Sequence, residues 1–327
     1  MGMIEEIKSA YNRINKRVVR TPLLTFPALN EFLGGTIYLK PENLQHTGSF
    51  KYRGAMNHIR SLAEAGKRPT IIAYSSGNHA QGVARAASEA NLQATIVMPS
   101  DAPKVKINRT RAFGAKVVLY DRVNQIREEV AANLENAEKS YLIPPFDNNL
   151  TIAGQGTLGL EVTEQLNGAQ LDQTLICCGG GGLATGVTAA LRHAYPDVLS
   201  YLVEPEDFDD FGRSLVLGDR IRNSKLTGSI CDAIITPTPG AITFPLAMKL
   251  KMQGLAVSDD EALHAVAYAA QKLRLITEPG GAVALAAALT NKIDLAGKST
   301  LIVLSGGNID NDLLQKALSL DLPAKWR

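Results

Sequence analysis

The chain has 327 residues, 45% of them hydrophobic and 20% charged, with a formal net charge of +2. That is enough for a packed core in one large or two modest domains. The near-balanced charge offers no strong field for nucleic acid or an anionic membrane, and 6% aromatics give no stacking platform for single strands.

From the N-terminus, MGMIEEIKSA lacks the basic and apolar regions of a secretory signal, and Glu6 stands where N-myristoylation needs Ser or Thr. No apolar run reaches the roughly 18 residues of a membrane span. Candidate strands follow at 36–41, 70–75, 93–99, 115–121, 174–179, 199–205 and 300–307. Between them lie helical patterns such as NHAQGVARAASEAN and EALHAVAYAAQKL, with apolar residues three and four apart. This alternation predicts an α/β fold with mostly parallel sheets, whose ligands belong at the carboxyl ends of the strands. The cysteines are Cys177, Cys178 and Cys231; they lack metal-type spacing, and the adjacent pair reads as buried and reduced, as expected of a cytoplasmic protein.

Four stretches carry chemistry. TGSFKYRG (47–54) sets Lys51 just behind a Thr-Gly-Ser turn, either as the first turn of a surface helix or as a buried amine. YSSGNHAQG (74–82) offers Ser75, Ser76, Asn78 and His79 at a helix start, where backbone donors could hold a carboxylate; helix capping accounts for one of them. CGGGGLATG (178–186) places four glycines between an apolar strand and a helix, so that N–H groups converge as they do on a bound phosphate. LSGGNID (304–310) ends the last strand with Ser305, a hydroxyl for a ring nitrogen or simply a strand-end turn.

Two nucleotide readings compete. No Lys-Ser or Lys-Thr follows the glycines, so they do not form a loop for nucleotide triphosphates. Glu204 stands where a dinucleotide site would place an acid for ribose, but the glycine spacing is not G-x-G-x-x-G. The one true match, GQGTLG (154–159), falls inside a helical pattern. Taken together, an amine, a phosphate cradle, a carboxylate clamp and a hydroxyl meet the needs of pyridoxal phosphate, with Lys51 forming the Schiff base.

KPENLQHTGSFKYRGA, SSGNHAQGVA, IAGQGT, GGGGLATG, EPGGA and SGGN occur in that order. The chain thereby resembles the fold type II pyridoxal-phosphate enzymes: threonine/serine dehydratases, serine racemase and hydroxyaspartate dehydratases. The resemblance implies a tryptophan synthase β-like fold of two three-layer α/β domains. A large cofactor-binding domain would span 1–52 and 148–327, and a small substrate-binding domain 53–147. It implies that Lys51 carries the cofactor, that Phe50 packs near its ring and that Asn78 bonds the ring 3′-oxygen. Gly179, Gly180, Gly181, Gly182 and Leu183 would cradle the phosphate, and Ser305 would meet the pyridine nitrogen. Ser75, Ser76, Asn78 and His79 would bind the substrate carboxylate. In racemase-like members a cation binds after the strand that follows the glycine loop. EPEDFDD (204–210) supplies Glu204, the Phe208 carbonyl and Asp210, hard oxygens suited to Mg²⁺ or Ca²⁺; the alternative is a solvated acidic turn.

The implied reaction is elimination and deamination of a β-hydroxy amino acid, of L-threonine or L-serine type, to a 2-keto acid and ammonia. Lys51 would act as general base. Three departures bear on the substrate. CDA (231–233) stands where many relatives have Ala-Asp-Gly, and TPTPGAITF (236–244) is unlike the usual dehydratase sequence. Ser76 stands where biosynthetic threonine dehydratases carry Ala; its hydroxyl could return a proton to the opposite face, as a racemase needs. Arg127 falls where racemase-like relatives have an arginine near acidic ligands, or pairs with glutamates on its helix. The alternatives are therefore a serine or aspartate-type racemase, or a dehydratase for a bulkier or acidic substrate such as threo-3-hydroxyaspartate. A nucleotide-binding oxidoreductase ranks below these. The chain ends soon after SGGNID, so no regulatory domain is expected. Relatives imply a homodimer acting on a small amino acid, without nucleic acid or membrane partners.

Overall fold

The structure is a computed structural model that describes residues 2–75, 77–102, 104–121, 123–134 and 139–326. Its nine strands in chain order are β1 (Thr36–Pro41), β2 (Thr70–Tyr74), β3 (Ala94–Pro99), β4 (Lys116–Tyr120), β5 (Ser140–Leu142), β6 (Gln173–Cys177), β7 (Leu199–Pro205), β8 (Gln253–Val257) and β9 (Ser299–Leu304). They form two sheets, β1-β9-β6-β7-β8 and β4-β3-β2-β5, in which every pairing is parallel. Each of the seven segments expected to be a strand overlaps one of these. No described helix is long and apolar enough to cross a membrane.

Among the described residues thirteen α-helices cover the sheets and extend from them. They are α1 (Met3–Ile14), α2 (Pro27–Leu33), α3 (Lys51–Glu64), α4 (Asn78–Glu89), α5 (Lys104–Ala112), α6 (Arg127–Leu134) and α7 (Asn149–Leu166). The remainder are α8 (Gly182–Ala194), α9 (Asp210–Leu217), α10 (Thr243–Lys249), α11 (Asp259–Tyr268), α12 (Pro279–Leu289) and α13 (Asn311–Leu318). Every residue of β6 is buried, as befits an inner strand covered on both faces. Each residue of α12 is buried too; its run of alanines lets an all-apolar helix pack into the larger core.

GQGTLG lies in α7 and serves packing. A Cβ on Gly154 would come within 2.7 Å of the Gly54 Cα in α3, and one on Gly156 within 2.8 Å of the Gly186 carbonyl in α8. The glycines thus let three helices touch backbone to backbone. Beside them lies a buried ionic cluster. Arg53 Nε donates to Glu42 Oε2 at 2.7 Å and Arg53 Nη1 to Glu161 Oε1 at 2.7 Å. Lys40 Nζ donates to Glu161 Oε2 at 2.8 Å and to the Thr21 carbonyl at 2.7 Å. Burial opposes the charge on Glu42, yet the Arg53 guanidinium holds its carboxyl below the usual range. The cluster ties α3 to α7 two residues beyond Lys51.

Candidate active site

Lys51 opens α3 after TGSF is held against the end of β9. Phe50 N donates to the Ser305 carbonyl at 3.1 Å and Gly307 N to the Gly48 carbonyl at 2.9 Å. Two motifs about 250 residues apart in the chain are thereby zipped together, with Lys51 and Ser305 on the wall of one cleft. The surface-helix alternative does not hold. Lys51 Nζ donates to the Pro145 carbonyl at 2.7 Å and lies 5.1 Å from the Phe50 ring centroid. Burial lowers its pKa to about 8, against the pull of Cys177 and Glu278 toward the charged form.

The glycine run crosses the same cleft. Gly181 has φ +93° and precedes the first residue of α8. A Cβ on Gly180 would fall 2.3 Å from the Phe146 ring, and one on Gly179 2.8 Å from the Ile234 carbonyl. Packing therefore demands glycine at both. The amides of Gly179, Gly180, Gly182 and Leu183 donate to no protein acceptor among the described residues. Free donors at a helix N-terminus suit a phosphate. TPTPGAITF backs this loop from behind: Thr243 Oγ1 donates to the Gly180 carbonyl at 2.6 Å. Asp147 accepts from the Ala241 and Ile242 amides, both at 2.8 Å.

Ser75, Gly77, Asn78 and His79 also line the cleft. Gly77 is the N-cap of α4 and no side chain caps it, so capping does not occupy the described polar groups. Ser75 Oγ accepts from Gly77 N at 3.1 Å. Ser76 lies outside the described residues. His79 Nε2 donates to the Ile143 carbonyl at 2.9 Å, and burial lowers its pKa to about 3, which leaves a neutral ring with an unprotonated Nδ1. Asn78 is fixed at both ends: Nδ2 donates to Glu278 Oε1 at 2.6 Å and Oδ1 accepts from Asn308 Nδ2 at 2.7 Å.

Glu278 and Asn308 line the cleft, and neither was singled out from the sequence. EPGGA and SGGN both held a clue, but nothing local says that Glu278 meets Asn78, 200 residues away. Burial pushes the Glu278 carboxyl up to about 7, with Asn78 working against it. Cys177 faces the cleft at the end of β6; burial pushes its thiol up to about 12, partly offset by a hydrogen bond with Ser305.

The EPEDFDD residues lie elsewhere, and Glu204 does not border the cleft. Its oxygens accept from Phe211 N at 3.1 Å and Gly212 N at 2.8 Å. Asp210 Oδ1 accepts from Asn223 Nδ2, while its Oδ2 is buried without a partner among the described residues. Burial and the neighbouring Asp210 push the Glu204 carboxyl well up; burial raises Asp210 to about 7. Phe208 is buried beside them in sequence. No cluster of three or more His, Cys, Asp or Glu that could hold a metal ion occurs among the described residues. Arg127 begins α6, and its side chain lies outside the description.

An amine biased toward its neutral form, unpartnered amides at a helix start and a strand-end serine around one cleft fit pyridoxal phosphate. Comparison with known proteins agrees. The family described as pyridoxal-phosphate dependent enzyme matches residues 14–306. An L-threonine ammonia-lyase of Thermotoga maritima is 39% identical over 100% of this chain and 80% of its own length. An L-threo-3-hydroxyaspartate ammonia-lyase of Saccharomyces cerevisiae is 39% identical over 93% of each chain. Among solved structures, a serine racemase from Dictyostelium discoideum superposes with a TM-score of 0.85 at 37% identity, covering 94% of this chain and 98% of its own. The chain belongs to the pyridoxal-phosphate dependent enzymes, and its fold is theirs.

Proposed function

We propose that this protein is an ammonia-lyase that converts a β-hydroxy amino acid to a 2-keto acid and ammonia. The observation that carries the reading is Lys51: a half-buried lysine whose pKa is lowered to about 8, in one cleft with the free glycine-loop amides and Ser305. Lys51 would hold pyridoxal phosphate. Gly179, Gly180, Gly181, Gly182 and Leu183 would receive its phosphate, Phe50 would pack near the ring, Asn78 would bond the ring 3′-oxygen and Ser305 would meet the ring nitrogen. The bound cofactor supplies an electron-accepting ring in conjugation with the substrate α-carbon.

The chain's own groups do the rest. Ser75, Ser76, Asn78 and His79, at the start of α4, orient the substrate carboxylate where the helix dipole favours negative charge. Lys51, whose desolvation favours the neutral amine, would take the α-proton as general base. Loss of the β-hydroxyl as water leaves an enamine, which hydrolyses to the keto acid and ammonia. Ser305 would offer the ring nitrogen a hydroxyl rather than a carboxylate, which would suit elimination. Ser76 is the candidate to return a proton on the opposite face, which would add racemisation.

Glu204, the Phe208 carbonyl and Asp210 would hold Mg²⁺ or Ca²⁺. The unpartnered Asp210 oxygen and two mutually repelling carboxylates are what support that site. The larger sheet belongs to a cofactor-binding domain of 1–52 and 148–327, the smaller to a substrate-binding domain of 53–147. We assign a cytoplasmic homodimer.

The test is a visible spectrum of the purified protein with keto-acid assays on L-threonine, L-serine and L-threo-3-hydroxyaspartate. We expect a coloured protein that shifts on substrate and releases keto acid, and a colourless, inactive Lys51→Ala variant. A protein that stays colourless when supplied with pyridoxal phosphate overturns the assignment.

A further inference from the structure

Two lysines line the cleft among the described residues, Lys51 and Lys106. Lys106 projects from the first turn of α5, on the side of the smaller sheet. Its Nζ lies 3.0 Å from Asp232 Oδ2, in the segment that replaces the usual Ala-Asp-Gly. The pair is lopsided: the Lys106 side chain is 11% exposed and that of Asp232 59%. Burial opposes the charge on Lys106, but Asp232, and beyond it Asp310 and Glu278, keep it cationic. Lys106 is thus a fixed charge at the cleft wall, while its partner is mostly in water and can swing out. Exchanging one carboxylate for another leaves the local charge unchanged, so the desolvation already met is not met again.

We propose that Lys106 is a specificity-determining residue that receives the side-chain carboxylate of an acidic β-hydroxy amino acid, with Asp232 holding its place until substrate enters. The inference rests on the ammonia-lyase reading and names the substrate class of that site. A methyl group, as in threonine, gives Lys106 nothing to bond and leaves Asp232 where it is. A β-carboxylate brings a charge-assisted hydrogen bond to the mostly buried Lys106 ammonium.

The experiment compares kcat/KM for L-threo-3-hydroxyaspartate with that for L-threonine in the wild type and in Lys106→Gln. The ratio is expected to fall about 10- to 100-fold, chiefly through the KM for hydroxyaspartate. Lys106→Arg should keep most of the preference. Binding is measured separately, by calorimetry with succinate and butyrate, which cannot be deaminated. Succinate should bind the wild type more tightly than butyrate and lose that advantage in Lys106→Gln. Asp232→Asn, which removes the competitor and leaves the lysine, should bind succinate more tightly than the wild type. An unchanged substrate ratio in Lys106→Gln, or a succinate affinity that Asp232→Asn lowers or leaves alone, overturns the proposal. If no substrate yields keto acid while succinate binding still follows Lys106, the lyase reading fails and the dicarboxylate site stands.

Discussion

Two buried charge constellations differ in one respect. Around Arg53, two cations and two carboxylates neutralise each other and share hydrogen bonds at 2.7–2.8 Å. Around Glu204 and Asp210, two carboxylates are buried with no protein cation bonded to either among the described residues, and one Asp210 oxygen has no partner. Both lie away from solvent, so dielectric environment does not separate them. The first is complete and serves the fold. The second has no such internal balance: burial pushes both carboxyls up, so they are neutralised by protons or by the cation proposed above.

The contrast can be broken most forcefully at Arg53. Arg53→Met leaves Glu42 and Glu161 facing each other with only Lys40, and unfolding measurements should show a loss of about 3–5 kcal/mol. A loss under 1 kcal/mol would mean that the cluster contributes little beyond packing. At the second constellation the sign reverses. Adding Mg²⁺ or Ca²⁺ to metal-stripped protein should raise its stability by about 2.7 kcal/mol at a hundredfold excess over Kd. Asp210→Asn should abolish that response, and an identical rise in the variant would place the ion elsewhere.

Lys51 is a third case, a half-buried lysine whose desolvation favours the neutral form. A neutral amine is needed to capture pyridoxal phosphate, so capture by cofactor-free protein should rise as pH increases through about 8, well below the 10.5 of an ordinary lysine. A midpoint near 10.5 would show an amine open to water. The smallest expected effect sharpens this. Glu278 favours the charged amine, so Glu278→Gln should move that midpoint downward while keeping an acceptor for Asn78.

What the sequence revealed follows the range of each interaction. Strands such as 174–179 and 300–307 were legible because inner strands are apolar throughout. β5 and β8 were not: both are edge strands, one of three residues, the other carrying Gly254, whose Cα faces Gly212. The cleft residues that announced themselves, Lys51, Gly179 to Gly182 and Ser305, sit in turns with unusual local composition. Glu278, Asn308 and Lys106 did not, since their meaning depends on partners far along the chain. GQGTLG shows the converse: a pattern used for nucleotides elsewhere serves here to bring helices together.

The position of β9 has a consequence for how the molecule is made. It is the last strand in the chain, yet it lies between β1 and β6, and it carries Ser305 at its end. A growing chain emerging from the ribosome therefore holds an open seam in its larger sheet until residues 299–304 are available. The strand edges of β1 and β6 stay unpaired along that seam for most of synthesis, and the cleft acquires one of its walls only when the seam closes. Release of a chain cut short before Ser299 would leave β1 apart from β6, and TGSF without the strand end that holds it.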